Sequence, residues 1–121
     1  MIRWITEQLG TSAWSQVDEH PGIYLLDVRD MVDKGGNDLL VVKSKIDEAL
    51  LHLQKNEKVV ICCDYGMSRS NSIAAGVLAV QENISLEKAI RRVIATTGES
   101  AIKIEVLSAV RKSLDETSQR I

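Results

Sequence analysis

Phenylalanine is absent from this 121-residue chain, proline occurs once (Pro21), and cysteine occurs twice, at the adjacent positions Cys62 and Cys63. Neighbouring cysteines cannot staple distant segments, and they lack the paired spacing of a zinc site, so neither a disulfide framework nor a structural metal is expected. With one proline, no low-complexity stretch and no internal repeat, nothing divides the chain into modules. A single domain over residues 1–121 is therefore expected, one core's worth of chain. Charge of one sign is lacking too: 15 Lys plus Arg face 17 Asp plus Glu, for a net charge of -2 and no basic run. Broad attraction to nucleic acid or to an anionic membrane is thereby disfavoured, and recognition of an anion has to be local. Hydrophobic residues make up 45% of the chain, yet their runs break within a few residues. The opening Met1-Ile2-Arg3-Trp4 lacks the apolar segment of a signal peptide, and the expectation is a soluble, cytoplasmic protein.

The residues that are present alternate between strand and helix patterns. Arg3 to Leu9 reads as a strand closed by Gly10, Ser12 to Glu19 as a short helix, and His20-Pro21-Gly22 as a turn. Ile23-Tyr24-Leu25-Leu26 is a short apolar run, as expected of a strand buried on both faces. Residues 27–38 hold four aspartates and the pair Gly35-Gly36, which suits a polar loop. Leu39, Val42, Ile46, Ala49, Leu50 and Leu53 recur at helical spacing, with Asn37 or Asp38 placed to cap the helix. Val59-Val60-Ile61-Cys62-Cys63 is a second doubly buried strand, and it turns through residues 64–68 into a helix beginning near Arg69 or Ser70. That helix carries Ser72, Ala74, Ala75, Gly76 and Ala79, small enough to let it lie close to a sheet. Two more helices follow, one behind Ser85 and one over residues 102–114 behind Ser100, with a frayed tail over 115–121. Together these predict an α/β domain with a compact, mostly parallel sheet of about four strands flanked by about five helices.

A cysteine at the C-terminal end of a buried strand, just before a helix, faces free backbone N–H groups and the positive end of the helix dipole. Such a place favours an anion, a thiolate or a phosphoryl group alike. Five residues separate Cys63 from Arg69. That spacing lets the loop curl with the sulfur at its base and the guanidinium at its rim, where a planar fork can hold two phosphoryl oxygens. Gly66 permits a positive φ or a close backbone approach, and Ser70 can donate a hydrogen bond to the Cys63 sulfur. The bland alternative is two core cysteines before an ordinary turn. Cys63, Gly66, Ser68, Arg69 and Ser70 in this order, between strand and helix, favour catalysis over it.

The stretch Cys63-Asp64-Tyr65-Gly66-Met67-Ser68-Arg69-Ser70 resembles the signature loop of the dual-specificity branch of the protein tyrosine phosphatase superfamily. The small-residue helix that follows, and Asn83-Ile84-Ser85-Leu86-Glu87-Lys88-Ala89 opening the next, resemble the family's order of elements, so the likeness runs from about Asp30 onward. The resemblance implies a protein tyrosine phosphatase-like fold and hydrolysis of phosphate monoesters through a cysteinyl-phosphate. It implies Cys63 as nucleophile, with Arg69 and the loop positions Asp64, Tyr65, Gly66, Met67 and Ser68 holding the phosphate. Ser70 assists the sulfur as it leaves, and no metal or other cofactor is needed. The family's general acid stands on a loop before the cysteine. Asp33, beside Gly35-Gly36, is the favoured candidate, Asp30 the reserve with Arg29 as helper, and Asp27 and Asp38 lie at the window's edges.

The chain departs from the family where Cys62 replaces a histidine that commonly precedes the nucleophile. Alternation along a strand points Cys62 away from Cys63, as a small buried side chain. Aromatics at 3% poorly supply a deep phosphotyrosine slot, and Asp64 opposes heavily phosphorylated ligands. The expected partner is a phosphorylated protein or a small phosphoester; phosphoinositides are disfavoured, and the oligomeric state is not set by the sequence. Leu25-Leu26-Asp27-Val28-Arg29-Asp30 also resembles a stretch of rhodanese-like sulfurtransferases, whose active loops usually hold one residue fewer between cysteine and arginine. A catalytically weak phosphate-binding module is the non-enzymatic alternative. His20 and His52 are expected in turn and surface roles, and Arg91-Arg92 on a solvated face.

Overall fold

The computed structural model of the chain describes residues 2–16, 22–31, 36–64, 68–98 and 102–118, with side chains as far as residue 115. Among the described residues, four strands form one sheet: β1 (Arg3–Trp4), β2 (Leu9–Ala13), β3 (Ile23–Asp27) and β4 (Lys58–Cys63), in the order β1-β2-β4-β3. β4 is parallel to both β2 and β3, whereas β1 is antiparallel to β2, so the sheet is mixed rather than mostly parallel. The antiparallel edge arises where the expected strand over Arg3 to Leu9 breaks into a hairpin. The Thr6 hydroxyl oxygen accepts from the N–H groups of Gln8 (3.1 Å) and Leu9 (3.0 Å), which reverses the chain after β1. Such a local side-chain bond competes with strand continuation. Gly10 does not close a strand but lies inside β2, where a Cβ would meet Ile2 Cγ2 at 2.9 Å and Trp4 Cε3 at 3.0 Å. In place of the expected helix over Ser12 to Glu19, Ser12 and Ala13 complete β2, and the described part of the rest is a 3-10 turn, Trp14–Gln16.

Four α-helices are described, against the about five expected. α1 (Leu39–Gln54) is capped by Asp38, whose carboxylate accepts from the Leu40 N–H at 2.8 Å. α2 is Ser68–Glu82, starting a residue or two earlier than expected, within the ordinary uncertainty of a helix end. α3 (Leu86–Thr97) begins behind Ser85, whose hydroxyl accepts from the Lys88 N–H, and ends at Gly98 with φ 71°. α4 is Ile104–Ser118: Ile102 precedes it, Ser100 lies outside the described residues, and helix replaces the fraying expected from residue 115 as far as Ser118. Among the described residues, no helix is long and apolar enough to cross a membrane.

α2 is the central helix, and every residue from Ser68 to Ala79 in it is buried. It lies against β2 and β4 and also packs on α1, α3 and α4. Gly76 makes this approach possible, because a Cβ there would stand 2.8 Å from Val110 Cγ1 and 3.0 Å from Ile46 Cδ1. Leu9, Leu26, Val28, Val59, Ile61 and Cys63 join one hydrophobic core with the helices. The parallel strands finish together, with Ala13 beside Cys63 and Asp27 beside Cys62. In an open parallel arrangement, this carboxyl edge is where ligand-binding loops gather.

Candidate active site

Cys63 is the last residue of β4 and is 2% exposed. Its Sγ lies 3.3 Å from the Ser70 hydroxyl oxygen, in the first turn of α2. The sulfur therefore sits where the strand's end meets a helix N-terminus, whose first N–H groups have no intrahelical acceptor. Tyr65, Gly66 and Met67, expected to cradle a phosphate, lie outside the described residues. Ser68, expected among the same ligands, ties down the helix start: its hydroxyl oxygen accepts from the Lys103 N–H (2.9 Å), and its carbonyl accepts from Ser72 Oγ (2.6 Å).

Arg69 is buried, and three of its hydrogen bonds fix the guanidinium. Nη1 donates to the carbonyl oxygens of Arg29 and Met31, each at 3.1 Å, and Nη2 donates to Asp64 Oδ2 at 3.1 Å. Arg69 thus bridges α2 to the segment after β3. Asp64, expected to present its backbone to a phosphate, uses its half-exposed carboxylate to occupy one donor of the expected clamp.

The segment after β3 is itself braced. The Asp27 carboxylate accepts from three groups of Arg29: the backbone N–H (2.9 Å), Nε (3.0 Å) and Nη2 (2.9 Å). Those bonds from Arg29 hold the Asp27 carboxyl below the usual carboxylate range. The Arg29 guanidinium lies 3.9 Å from the centre of the Trp14 ring, so the brace also reaches the turn after β2. Lys45 of α1 donates to the Asp27 carbonyl at 3.1 Å and pairs with the Asp30 carboxylate at 3.3 Å. Sequence reasoning placed Asp27 at the edge of the acid window and Arg29 as a helper of Asp30, and it missed their mutual pairing. The available signal was Asp-x-Arg at a strand's end, since an aspartate there commonly takes the N–H two residues on.

Among the acid candidates, Asp33 lies outside the described residues, Asp30 is exposed with its carboxylate on Lys45, and Asp38 is engaged in capping α1. Cys62 is fully buried with Sγ 3.8 Å from the Val60 carbonyl, and burial pushes its thiol up to about 11. It falls outside the core that Cys63 joins with α2, as the alternation of strand faces requires. Asn71, one helical position beyond Ser70, is fully buried with neither amide atom partnered among the described residues.

The remaining polar features stand apart from this edge. His52 stacks on Tyr24 (centroids 3.5 Å apart) with Nδ1 2.7 Å from Glu57, a packed position rather than the simple surface one expected. The Tyr24 hydroxyl donates to Glu48, and that bond, with burial, raises its pKa to about 12. Arg92 pairs with Glu82 on the exposed surface, and His20 lies outside the described residues. A groove of about 610 Å³ between α2, α3 and α4, lined by Val80, Ile84, Leu86 and Arg111 among others, shares no residue with the Cys63 site.

No family model matches the chain, and no curated protein matches it. Solved structures do. Human DUSP28 is similar over 100% of both chains, with 14% identity and a TM-score of 0.84. A mouse putative dual specificity phosphatase, complexed with zinc tungstate, matches 98% of this chain and 89% of its own at 13% identity and a TM-score of 0.84. The human tyrosine phosphatase-like serine/threonine/tyrosine-interacting protein covers 97% of each chain at 13% identity and a TM-score of 0.75. At such identities the likeness establishes the fold, which is that of the dual-specificity phosphatases and their relatives.

Proposed function

We propose that this chain is a single-domain, cysteine-dependent phosphatase of the dual-specificity type, acting on phosphate monoesters of proteins or small molecules in the cytoplasm. The observation that supports it most is the contact of Cys63 with Ser70 where β4 meets the N-terminus of α2, Sγ to Oγ 3.3 Å, with Arg69 in the same first turn and bonded to Asp64 beside Cys63. The fold likeness to phosphatases points the same way.

In this reading the Cys63 thiolate attacks phosphorus, an S–P bond forms and the P–O bond to the alcohol or phenol breaks. Arg69, through N–H groups not taken by the Arg29 and Met31 carbonyls and with Asp64 giving way on Nη2, and the backbone of residues 64–68 stabilise the equatorial oxygens. Asp33, or Asp30 in its place, gives its proton to the leaving oxygen. The carboxylate then takes a proton from water as the water oxygen attacks phosphorus, the S–P bond breaks, and Ser70 steadies the departing thiolate. Side chains and the loop backbone supply every role in this scheme, which calls for no metal. Phosphotyrosine, phosphoserine and phosphothreonine are the natural substrates to try, together with small phosphoesters.

The test is hydrolysis of a generic aryl phosphate in the presence of a chelator, inhibited by vanadate. Cys63→Ser is expected to remove turnover, and undiminished turnover in that variant overturns the reading. Asp33→Ala is expected to lower kcat by about 10²- to 10⁴-fold with loss of the acid-dependent limb of the pH profile; the same signature in Asp30→Ala alone transfers the role to Asp30. Leu25 to Asp30 supports sulfur transfer as a second reading, and thiosulfate-to-cyanide transfer exceeding phosphate release decides for it.

A further inference from the structure

The expected phosphate clamp is held from outside its own loop, and the hold has an identifiable origin. Two of the three described bonds to the Arg69 guanidinium come from backbone carbonyls, those of Arg29 and Met31. Carbonyls are useful acceptors only if the backbone that carries them is fixed. Residues 28–31 follow an edge strand, and this stretch leaves the sheet after a last ladder-like bond from the Val28 N–H to the Cys62 carbonyl (2.8 Å). Beyond that point the chain is turned by the Met31 N–H donating to the Val28 carbonyl (3.1 Å) and by Asp27.

We propose that Asp27 is a positioning residue for Arg69: by chelating Arg29 through its backbone N–H and its guanidinium together, it fixes the turn whose carbonyls aim the Arg69 fork. This rests on the phosphatase reading given above, and it assigns a role that neither the loop motif nor the fold likeness supplies. Asp27 touches neither the phosphate loop nor Cys63 through any described hydrogen bond, so it acts through Arg29 and Arg69. The three bonds converge on one carboxylate: Oδ1 accepts from the Arg29 N–H and Nε, and Oδ2 accepts from Nη2. The Trp14 ring beneath the guanidinium and Lys45 on the Asp27 carbonyl hold the same unit from β2 and α1. A fork that must meet two phosphoryl oxygens at once is sensitive to such support, because misplacement by about 1 Å can cost on the order of a hundredfold.

The experiment compares wild type, Asp27→Asn, Asp27→Ala and Arg69→Ala for aryl phosphate turnover and for vanadate inhibition, with folding followed by circular dichroism and thermal melting. Asp27→Asn has nearly the wild-type shape and keeps one acceptor oxygen, so it remains informative if Asp27→Ala does not fold. The vanadate Ki is expected to rise about tenfold to a hundredfold in Asp27→Ala, less in Asp27→Asn, with kcat/KM falling in parallel. In an Arg69→Ala background, Asp27→Asn is expected to add little, because its effect passes through Arg69. A lowered melting temperature with wild-type vanadate Ki overturns the proposal, as does an undiminished effect in the Arg69→Ala background. If the wild-type protein neither turns over aryl phosphate nor responds to vanadate, the phosphatase reading itself fails; normal wild-type behaviour with an unaffected Asp27→Asn removes only the role of Asp27.

Discussion

In the proposed reaction, Asp64 and a phosphoryl oxygen compete for the same nitrogen. The Asp64 carboxylate holds Arg69 Nη2 at 3.1 Å while its own side chain remains about half exposed, so it is a replaceable partner rather than a buried one. The guanidinium is buried, but a carboxylate already half in water is readily solvated when it leaves, so displacing it costs little. Asp64→Asn is therefore expected to lower the Ki for inorganic phosphate or vanadate by about two- to fivefold in a steady-state inhibition assay. A raised Ki means that Asp64 assists the anion and does not compete with it. Cys62 illustrates a different lesson at this scale. Its position beside the proposed nucleophile invites a functional reading, yet its burial and raised pKa describe an inert thiol.

At the scale of elements, the molecule is organised by how closely α2 can lie against its neighbours, and Gly76 sets that distance. Alanine is the better helix former, but a Cβ at this position falls 2.8 Å from the branched side chain of Val110, which has little freedom to move. Gly76→Ala is expected to destabilise the fold by about 1–3 kcal/mol in urea denaturation, overpacking outweighing helix propensity. Equal or greater stability means that α1 and α4 part without strain. The sequence made the β3, α1, β4, α2 and α3 pattern readable, because each rests on strong local signals: apolar runs bounded by polar residues, helical spacing, and caps at Asp38 and Ser85. The N-terminal hairpin was not readable, since it depends on the Thr6 hydroxyl and on space beside Gly10 that only the folded chain defines. The contact of Cys63 with Ser70 was legible from their spacing. The brace behind Arg69 was not, because its acceptors are backbone carbonyls 38 and 40 residues away in sequence, and carbonyls leave no mark in residue identity.

For the whole molecule, the Asp27–Arg29 pair links stability to pH. Bonding from Arg29 depresses the folded-state pKa of Asp27, so the pair contributes stability above the ordinary carboxylate range and loses it as pH falls through the depressed folded value. The gap in melting temperature between wild type and Asp27→Asn is expected to be widest near neutrality and to close below about pH 4. A gap that is constant over that range assigns the destabilisation to packing. The fold places three strand ends, one helix N-terminus and the turn after β3 around a single cysteine, and the central claim is that phosphorus becomes bonded to that sulfur. Rapid acid quenching of the protein with an aryl phosphate, followed by peptide mass spectrometry, tests this directly. The account predicts a phosphoryl adduct on the peptide bearing Cys63, located on Cys63 by fragmentation and absent in Cys63→Ser. Phosphate release in the wild type with no adduct on Cys63, or an adduct that persists in Cys63→Ser, contradicts it.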